Sequence, residues 1–245
     1  MTTPDARPRG RQAQAARNDE VILAAARAVF LADPDAPIAA VAERAGVGIG
    51  ALYHRYASKE DLLRTLCWQG QQVYLAEARR ALELAAGPWQ AYTEFLRRIV
   101  AADTHGLTAR LAGRFTATPE MFQLGAQMQE LGTELLRRAQ AAGEVRADVA
   151  FLDVGYLLEL LSMLRVGDAE RTAAMRLRHL ALIIDGLRAG SATPLPGEPP
   201  TWQEQFGCAH FFDSLTTMVS FLSFRNISTG SRSSIFPLSL QTSRA

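Results

Sequence analysis

The sequence predicts an all-α fold on three observations. Alanine, leucine and arginine dominate as far as about residue 190, a mix of strong helix formers. Apolar residues recur there every three or four positions, as in Val21, Ile22, Ala25, Val29 and Phe30, with no strand-like alternation. The breaks fall where proline, glycine and capping residues sit: Asp33-Pro34, Gly87-Pro88, Thr118-Pro119, Gly143 and Gly167-Asp168. With 245 residues, nearly half of them apolar, the chain can fill the core of one large domain or of two small ones.

Residues 1–15 hold proline, glycine, arginine and glutamine and read as a disordered arm. Ahead of the first helix Arg7, Arg9, Arg11 and Arg17 are opposed only by Asp5, a charge pattern that suits phosphates or a minor groove and equally a solvated tail. A first helix is expected over about 18–32, with Asp19 and Glu20 in a first turn that favours negative charge. The chain is organised around the next stretch, residues 37–56, PIAAVAERAGVGIGALYHRY. Pro37 suits a helix start, where its missing N–H costs nothing. Ile38, Val41, Ala42 and Ala45 give that second helix one apolar face. Gly46 stops it, since glycine takes a left-handed backbone without steric cost. Val47 fits the angle, and residues 50–56 make a third helix with Leu52 and Tyr56 inward and Tyr53, His54 and Arg55 outward. Two helices joined by a short glycine turn form the DNA-reading helix-turn-helix, although many helical hairpins share the pattern and bind nothing.

Ser58 and Asp61 are spaced to cap a fourth helix reciprocally, and Leu62, Leu63 and Leu66 carry it inward to about residue 86. Five more helices are expected at about 88–102, 107–116, 119–142, 149–166 and 169–189, about nine in all. The eighth is apolar nearly all round, from Phe151 to Leu164, so it needs cover on more than one side. The ninth offers Leu177, Leu180, Ala181, Ile184 and Leu187. One side of this pair can face the core and another a second subunit; alternatively all of it is internal. Beyond Pro200 alanine and charge become scarce and serine and threonine common. This atypical tail reads as a short packed element, a poorly ordered appendage, or residues never selected as protein, such as a shifted reading frame.

Net charge is +1, so the total does not advertise nucleic acid. The two cysteines and four histidines are scattered and give no disulfide frame or metal-ligand spacing, and no cofactor is expected. No phosphate-cradling glycine loop or Gly-x-Ser-x-Gly is present, so nothing points to an enzyme. No apolar run is long enough to span a bilayer and no signal peptide is evident, which makes the cytoplasm the expected location.

The run Val41-Ala42-Glu43-Arg44-Ala45-Gly46-Val47, then Gly50-Ala51-Leu52-Tyr53-His54-Arg55-Tyr56, then Ser58-Lys59-Glu60-Asp61-Leu62-Leu63 closely resembles the tetracycline-repressor (TetR) family of bacterial regulators. The likeness covers about residues 16–66 as motif and extends to about 190 as helix count and order. It implies a three-helix DNA-binding head over 16–62, a helical ligand-binding and dimerisation domain over 63–190, and a linker and atypical tail over 191–245. It implies a homodimer paired through about 149–189, a palindromic double-stranded operator and a small-molecule inducer that releases it.

Carried onto this chain, the DNA-binding positions are Arg44, Gly48, Ile49, Ala51, Tyr53, His54 and Lys59. Tyr53 and Lys59, the chain's only lysine, suit phosphate; His54 suits phosphate or a base; Ile49 and Ala51 suit thymine methyls. Tyr53 tucked under the first helix, and Lys59 as a solvated helix end, are the bland readings. The chain departs from the family at Pro37, Gly48, Ile49 and Ala51, where hydroxyl or polar residues are usual, so the reading helix is bare. That leaves an alternative: a helical dimer that has lost operator binding and serves as a ligand- or protein-binding module. For the ligand, Trp68, Phe95, Phe115, Phe122, Met128 and Met163 are the candidate pocket residues, with His105, Thr116, Gln123 and Glu159 as possible polar contacts.

Overall fold

The computed structural model describes residues 7–103, 107, 111, 113–190 and 193–201. Its helices are α1 Arg7–Ala32, α2 Ile38–Ala45, α3 Ile49–Arg55, α4 Lys59–Glu83, α5 Pro88–Ala102, α6 Pro119–Ala141, α7 Phe151–Met163 and α8 Ala169–Gly186. The fold is all-helical: no strand occurs among the described residues, only an isolated antiparallel bridge between Val145 and Arg188. These eight described helices belong to one unit ending at Pro199. The expectations for residues 203–245 lie outside the described residues.

Helix α1 begins at Arg7, so the stretch expected to be a disordered arm is helical from there on. The physical reason lies in its composition. Alanine, glutamine and arginine are good helix formers, and Pro8 stands in the first turn, where its missing N–H breaks no bond. Asp19 and Glu20 are therefore mid-helix, not first-turn, residues.

One buried cluster joins Ile22, Ala26 and Phe30 of α1, Val41 and Ala42 of α2, Leu52 and Tyr56 at α3, and Leu62, Leu63, Leu66 and Cys67 of α4. It also takes in Leu107 and Leu111, both helical, and Met121 of α6, with Phe115 and Ala117 packed against it. The expected boundary between 62 and 63 thus falls inside one helix and inside one core. A sixth helix over 107–116 was expected; only Leu107 and Leu111 of its interior are described, and the chain is already non-helical at Gly113.

A second cluster fills the body with Tyr74 and Ala78 of α4, Phe95 and Ile99 of α5, Leu135 and Leu136 of α6, Leu158 and Leu161 of α7, and Leu180 and Ile184 of α8. Tyr74 and Phe95 meet edge to face at 5.1 Å between ring centroids. Gly132 lets α6 approach closely: a Cβ there would overlap Phe151 and Tyr74. Thr118 caps α6 and Asp168 caps α8 through their side chains. Ahead of α7, Asp148 pairs with Arg146 at 2.6 Å, and Asp153 accepts the Ala150 N–H. Among the described residues, no helix is long and apolar enough to cross a membrane.

Candidate nucleic-acid interface

The turn between α2 and α3 is built by the backbone. Gly46 has φ 66°, its N–H donates to Glu43 O at 3.1 Å, and the Val47 N–H reaches back to Ala42 O at 3.0 Å. This is the paired bonding that ends a helix with a left-handed residue, and Val47 then packs on the head core. Pro37 and Gly48 both precede their helices in extended conformation without a side-chain cap.

Helix α3 has one buried side chain, Leu52, followed by Tyr56 at 4% exposure. Its other face is open. Ile49 is 44% exposed and Tyr53 50%, while Ala51 and His54 are exposed too, as are Gly48 before the helix and Arg44 on α2. Tyr53 is therefore not tucked under α1. A Cβ built at Gly48 or Gly50 would meet no protein atom within 4 Å, so backbone at this end of α3 is approachable from outside.

Two residues are held in ways the spacing did not reveal. Arg55 spans to α1 and donates through Nε to Asp19 at 2.6 Å, with a second bond from Nη2; this carboxylate raises the guanidinium's pKa. Lys59 is partly buried, its ammonium 5.3 Å from the centroid of the Phe30 ring. At the same helix end Ser58 accepts the Asp61 N–H at 3.1 Å, but Asp61 accepts from Ala57 rather than closing the expected reciprocal pair.

The head is gripped by the segment that follows α5. Arg114 pairs with Asp35 through two bonds of 3.0 Å. Glu60 accepts the Thr116 N–H at 2.8 Å, and Arg64 donates to Thr116 O at 3.2 Å. Asp35 and Glu60 are both held below the usual carboxylate range, Asp35 chiefly by the Arg114 bond and Glu60 chiefly by the Thr116 backbone bond.

The six expected pocket residues fall in separate places. Trp68 is 45% exposed, because the inward stripe of α4 runs through Leu63, Cys67 and Gly70 and leaves it off to one side. Met163 is 49% exposed, on the outer side of α7 with Leu160; a helix apolar all round does not tell its faces apart by pattern. Phe115 packs on the head core, Phe95 is buried in the body core, Met128 packs at that core's edge, and Phe122 is partly buried. Of the polar candidates, Thr116 and Gln123 are exposed, Glu159 is partly buried, and His105 lies outside the described residues.

A small cavity between α5, α7 and α8 is lined by none of these, but by Ile99, Val100, Asp103, Leu158, Leu161, Ser162 and Arg176. Arg176, 7% exposed, pairs with Asp103 at 2.9 Å and donates to Ser162 O at 2.7 Å. A sequence signal for it existed. Thr172, Arg176, Leu180 and Ile184 are buried at a strict four-residue spacing, which puts an arginine on an inward stripe.

A glycine-hinged reading helix, apolar inside and open outside, on a helical body defines a helix-turn-helix DNA-binding protein. Comparison with known families agrees. Residues 22–66 match the family described as bacterial regulatory proteins, tetR family, and residues 87–189 match the transcriptional regulator SbtR-like C-terminal domain. Together these span more than half of the sequence, and the chain belongs to the TetR family of DNA-binding transcriptional regulators, which are not enzymes.

Among solved structures, a TetR transcription regulatory protein from Mycobacterium vanbaalenii is 31% identical over 72% of this chain and 98% of its own, at a TM-score of 0.49. The TetR-like regulator LfrR from Mycobacterium smegmatis, solved with proflavine, is 22% identical over 74% of this chain and 99% of its own, at 0.57. The ketosteroid transcriptional regulator KstR2 of Mycobacterium tuberculosis is 21% identical over 70% and 95%, at 0.51. These last two share the fold. No curated protein matches the chain.

Proposed function

We propose that this regulator is a homodimeric repressor that reads a palindromic operator with α3 and leaves it when a small molecule binds the body. The observation that carries the reading is the two-sidedness of α3: Leu52 and Tyr56 buried, Ile49, Ala51, Tyr53 and His54 presented outward. Arg44, Gly48 and Lys59 flank that face. Tyr53 and Lys59 would position the helix on phosphates, and the apolar pair would read thymine methyls. The dimer would form through residues 149–189. Leu160 at 64% exposure, Met163, Leu177 at 43% and Leu182 at 65% support it as uncovered apolar area on α7 and α8. That the M. smegmatis relative was solved with proflavine supports a body able to take a ligand. A regulator of this kind works in the cytoplasm, beside its DNA.

Selection of bound sequences from random DNA tests the reading. It should return a palindrome whose half-sites lie about 34–36 Å apart, one helical turn. Tyr53→Ala should weaken binding strongly at every salt concentration. Lys59→Ala should reduce the salt slope by about one, or by less to the extent that its stacking on Phe30 keeps it from phosphate. Unchanged affinity in both variants sinks this docking. The second reading, a dimer that no longer binds an operator, draws on Gly48, Ile49 and Ala51, which leave the reading helix without polar side chains at its start; a failed selection with the dimer intact would favour it.

A further inference from the structure

We propose that Arg176 anchors an organic acid, a single carboxylate on an apolar body, which takes the place of Asp103. This deepens the inducer half of the proposed function and, for its effect on DNA, rests on it. Three features of the cavity lead there.

The first is an unmet donor. Arg176 is more than nine-tenths buried, its Nη1 faces Asp103 Oδ2 and its Nη2 donates to Ser162 O, but its buried Nε has no hydrogen-bond partner. A guanidinium is a fork matched to two oxygens. Asp103 engages it by one oxygen, so a carboxylate that reaches Nε and a terminal nitrogen together would satisfy it better. Ile99, Val100, Leu158 and Leu161 line the rest of the space and suit an apolar body.

The second is size. The cavity leaves about 10 Å³ for a water's centre, room for one water at most. An acid cannot be added beside Asp103: its carboxylate has to displace that side chain, and its apolar body has to part Ile99 and Val100 of α5 from Leu158 and Leu161 of α7. Asp103 is the side from which displacement starts, since its side chain is 22% exposed against 8% for Arg176. It also has φ 49°, the only positive φ at a non-glycine among the described residues, a conformation aspartate tolerates but does not favour.

The third is where Asp103 leads. Its carbonyl accepts a bond of 3.3 Å from Arg27 Nη1 of α1. One residue at the end of α5 thus holds the buried arginine with its side chain and the DNA head with its backbone. A ligand that fits only when Asp103 has moved prefers the state in which this tie is undone, which is the requirement for coupling two sites.

Calorimetry on the purified full chain tests the anchor without DNA, using acetate, butyrate, hexanoate and octanoate, with 1-octanol as the uncharged match. The acids of best length should bind wild type and the alcohol should not. Asp103→Asn, which removes the internal competitor, should bind them roughly tenfold tighter, and Arg176→Gln should abolish binding. Hydrogen exchange in residues 22–32 should speed up with acid in wild type, and at lower acid concentration in Asp103→Asn, whose backbone tie to Arg27 is intact until the acid binds. If Asp103→Asn does not fold, the acid-against-alcohol comparison on wild type decides alone. Equal binding of acid and alcohol, equal binding by wild type and Arg176→Gln, or no binding of any acid overturns the inference. A protein that binds acids through Arg176 but no DNA would sink the operator reading and leave this one standing; operator release by 1-octanol and not by the acids would do the reverse.

Discussion

The head and the body of this chain use polar chemistry in opposite ways. In the head, the side chains expected to touch a partner stand outside, on a helix whose inner side is Leu52 and Tyr56. In the body, the most distinctive polar group, Arg176, is inside, held between Asp103 and Ser162. A macromolecule as large as a duplex can be met only at a surface, whereas a small molecule is selected by being enclosed. The segment from Asp103 to Met121 connects the two modes. It carries Arg114, Thr116, Phe115 and Met121 onto the head and Asp103 onto the body's arginine.

The comparison breaks most visibly where each half is filled. Leu52 is fully buried. Leu52→Ala should cost about 2–5 kcal/mol and abolish operator binding, while the oligomeric state, measured by light scattering, stays that of wild type. Gly132→Ala is the body's counterpart, an added methyl that Phe151 and Tyr74 must move to admit. Overpacking of this kind costs about 1–3 kcal/mol. It should lower the melting temperature and leave the operator affinity of the folded fraction unchanged. If Leu52→Ala spares DNA binding, or Gly132→Ala destroys it at a temperature where the protein is folded, the halves are not separable in this way.

A smaller effect tests the grip of the connecting segment. Asp35 and Glu60 have carboxyls held below their ordinary values by Arg114 and by the Thr116 N–H. A depressed folded-state pKa means that the bonds stabilise fully above the unfolded value, about 4, and that this is lost as pH falls through the lower folded value. Arg114→Gln removes the Asp35 part. Thermal melts should therefore separate wild type from variant by a constant amount at pH 7 and 5, and the gap should shrink below about pH 4. A gap that persists undiminished at pH 3 would show that Asp35 is not the partner that matters.

How far the sequence could be read differs between the halves for a physical reason. In the head, each position has one dominant constraint. Gly46 must turn left-handed, Leu52 must be buried, and Tyr53 is what remains outside; local pattern reports all three. The start of α1 escaped because composition that suits a solvated arm, rich in arginine, alanine and glutamine, also suits a helix. In the body, helix order and breaks were legible from Gly87-Pro88, Thr118-Pro119 and Asp168, but the faces were not. An α7 of leucines offers no contrast, so the pattern cannot tell that Met163 lies outside. Large apolar side chains are spread through both cores and mark no pocket, whereas the cavity is marked by the one charge on a buried stripe, Arg176 between Thr172 and Leu180.

The finest test concerns the link that fixes the reading helix to α1. Arg55 lies on the side of α3 that sequence reasoning left free, yet the structure commits it to Asp19, whose side chain is 20% exposed against 58% for the arginine. Pairs this exposed contribute little, about 0.2–1 kcal/mol, so Asp19→Asn should barely shift the melting temperature. Its consequence for DNA is larger in meaning than in size. Released from Asp19, Arg55 becomes an added cation near the operator, so the variant should bind DNA slightly more tightly at low salt, with a steeper salt slope. Weaker binding at every salt concentration would mean instead that the pair's role is to hold α3 at its angle, and that the outward face works only because this one charge is turned inward.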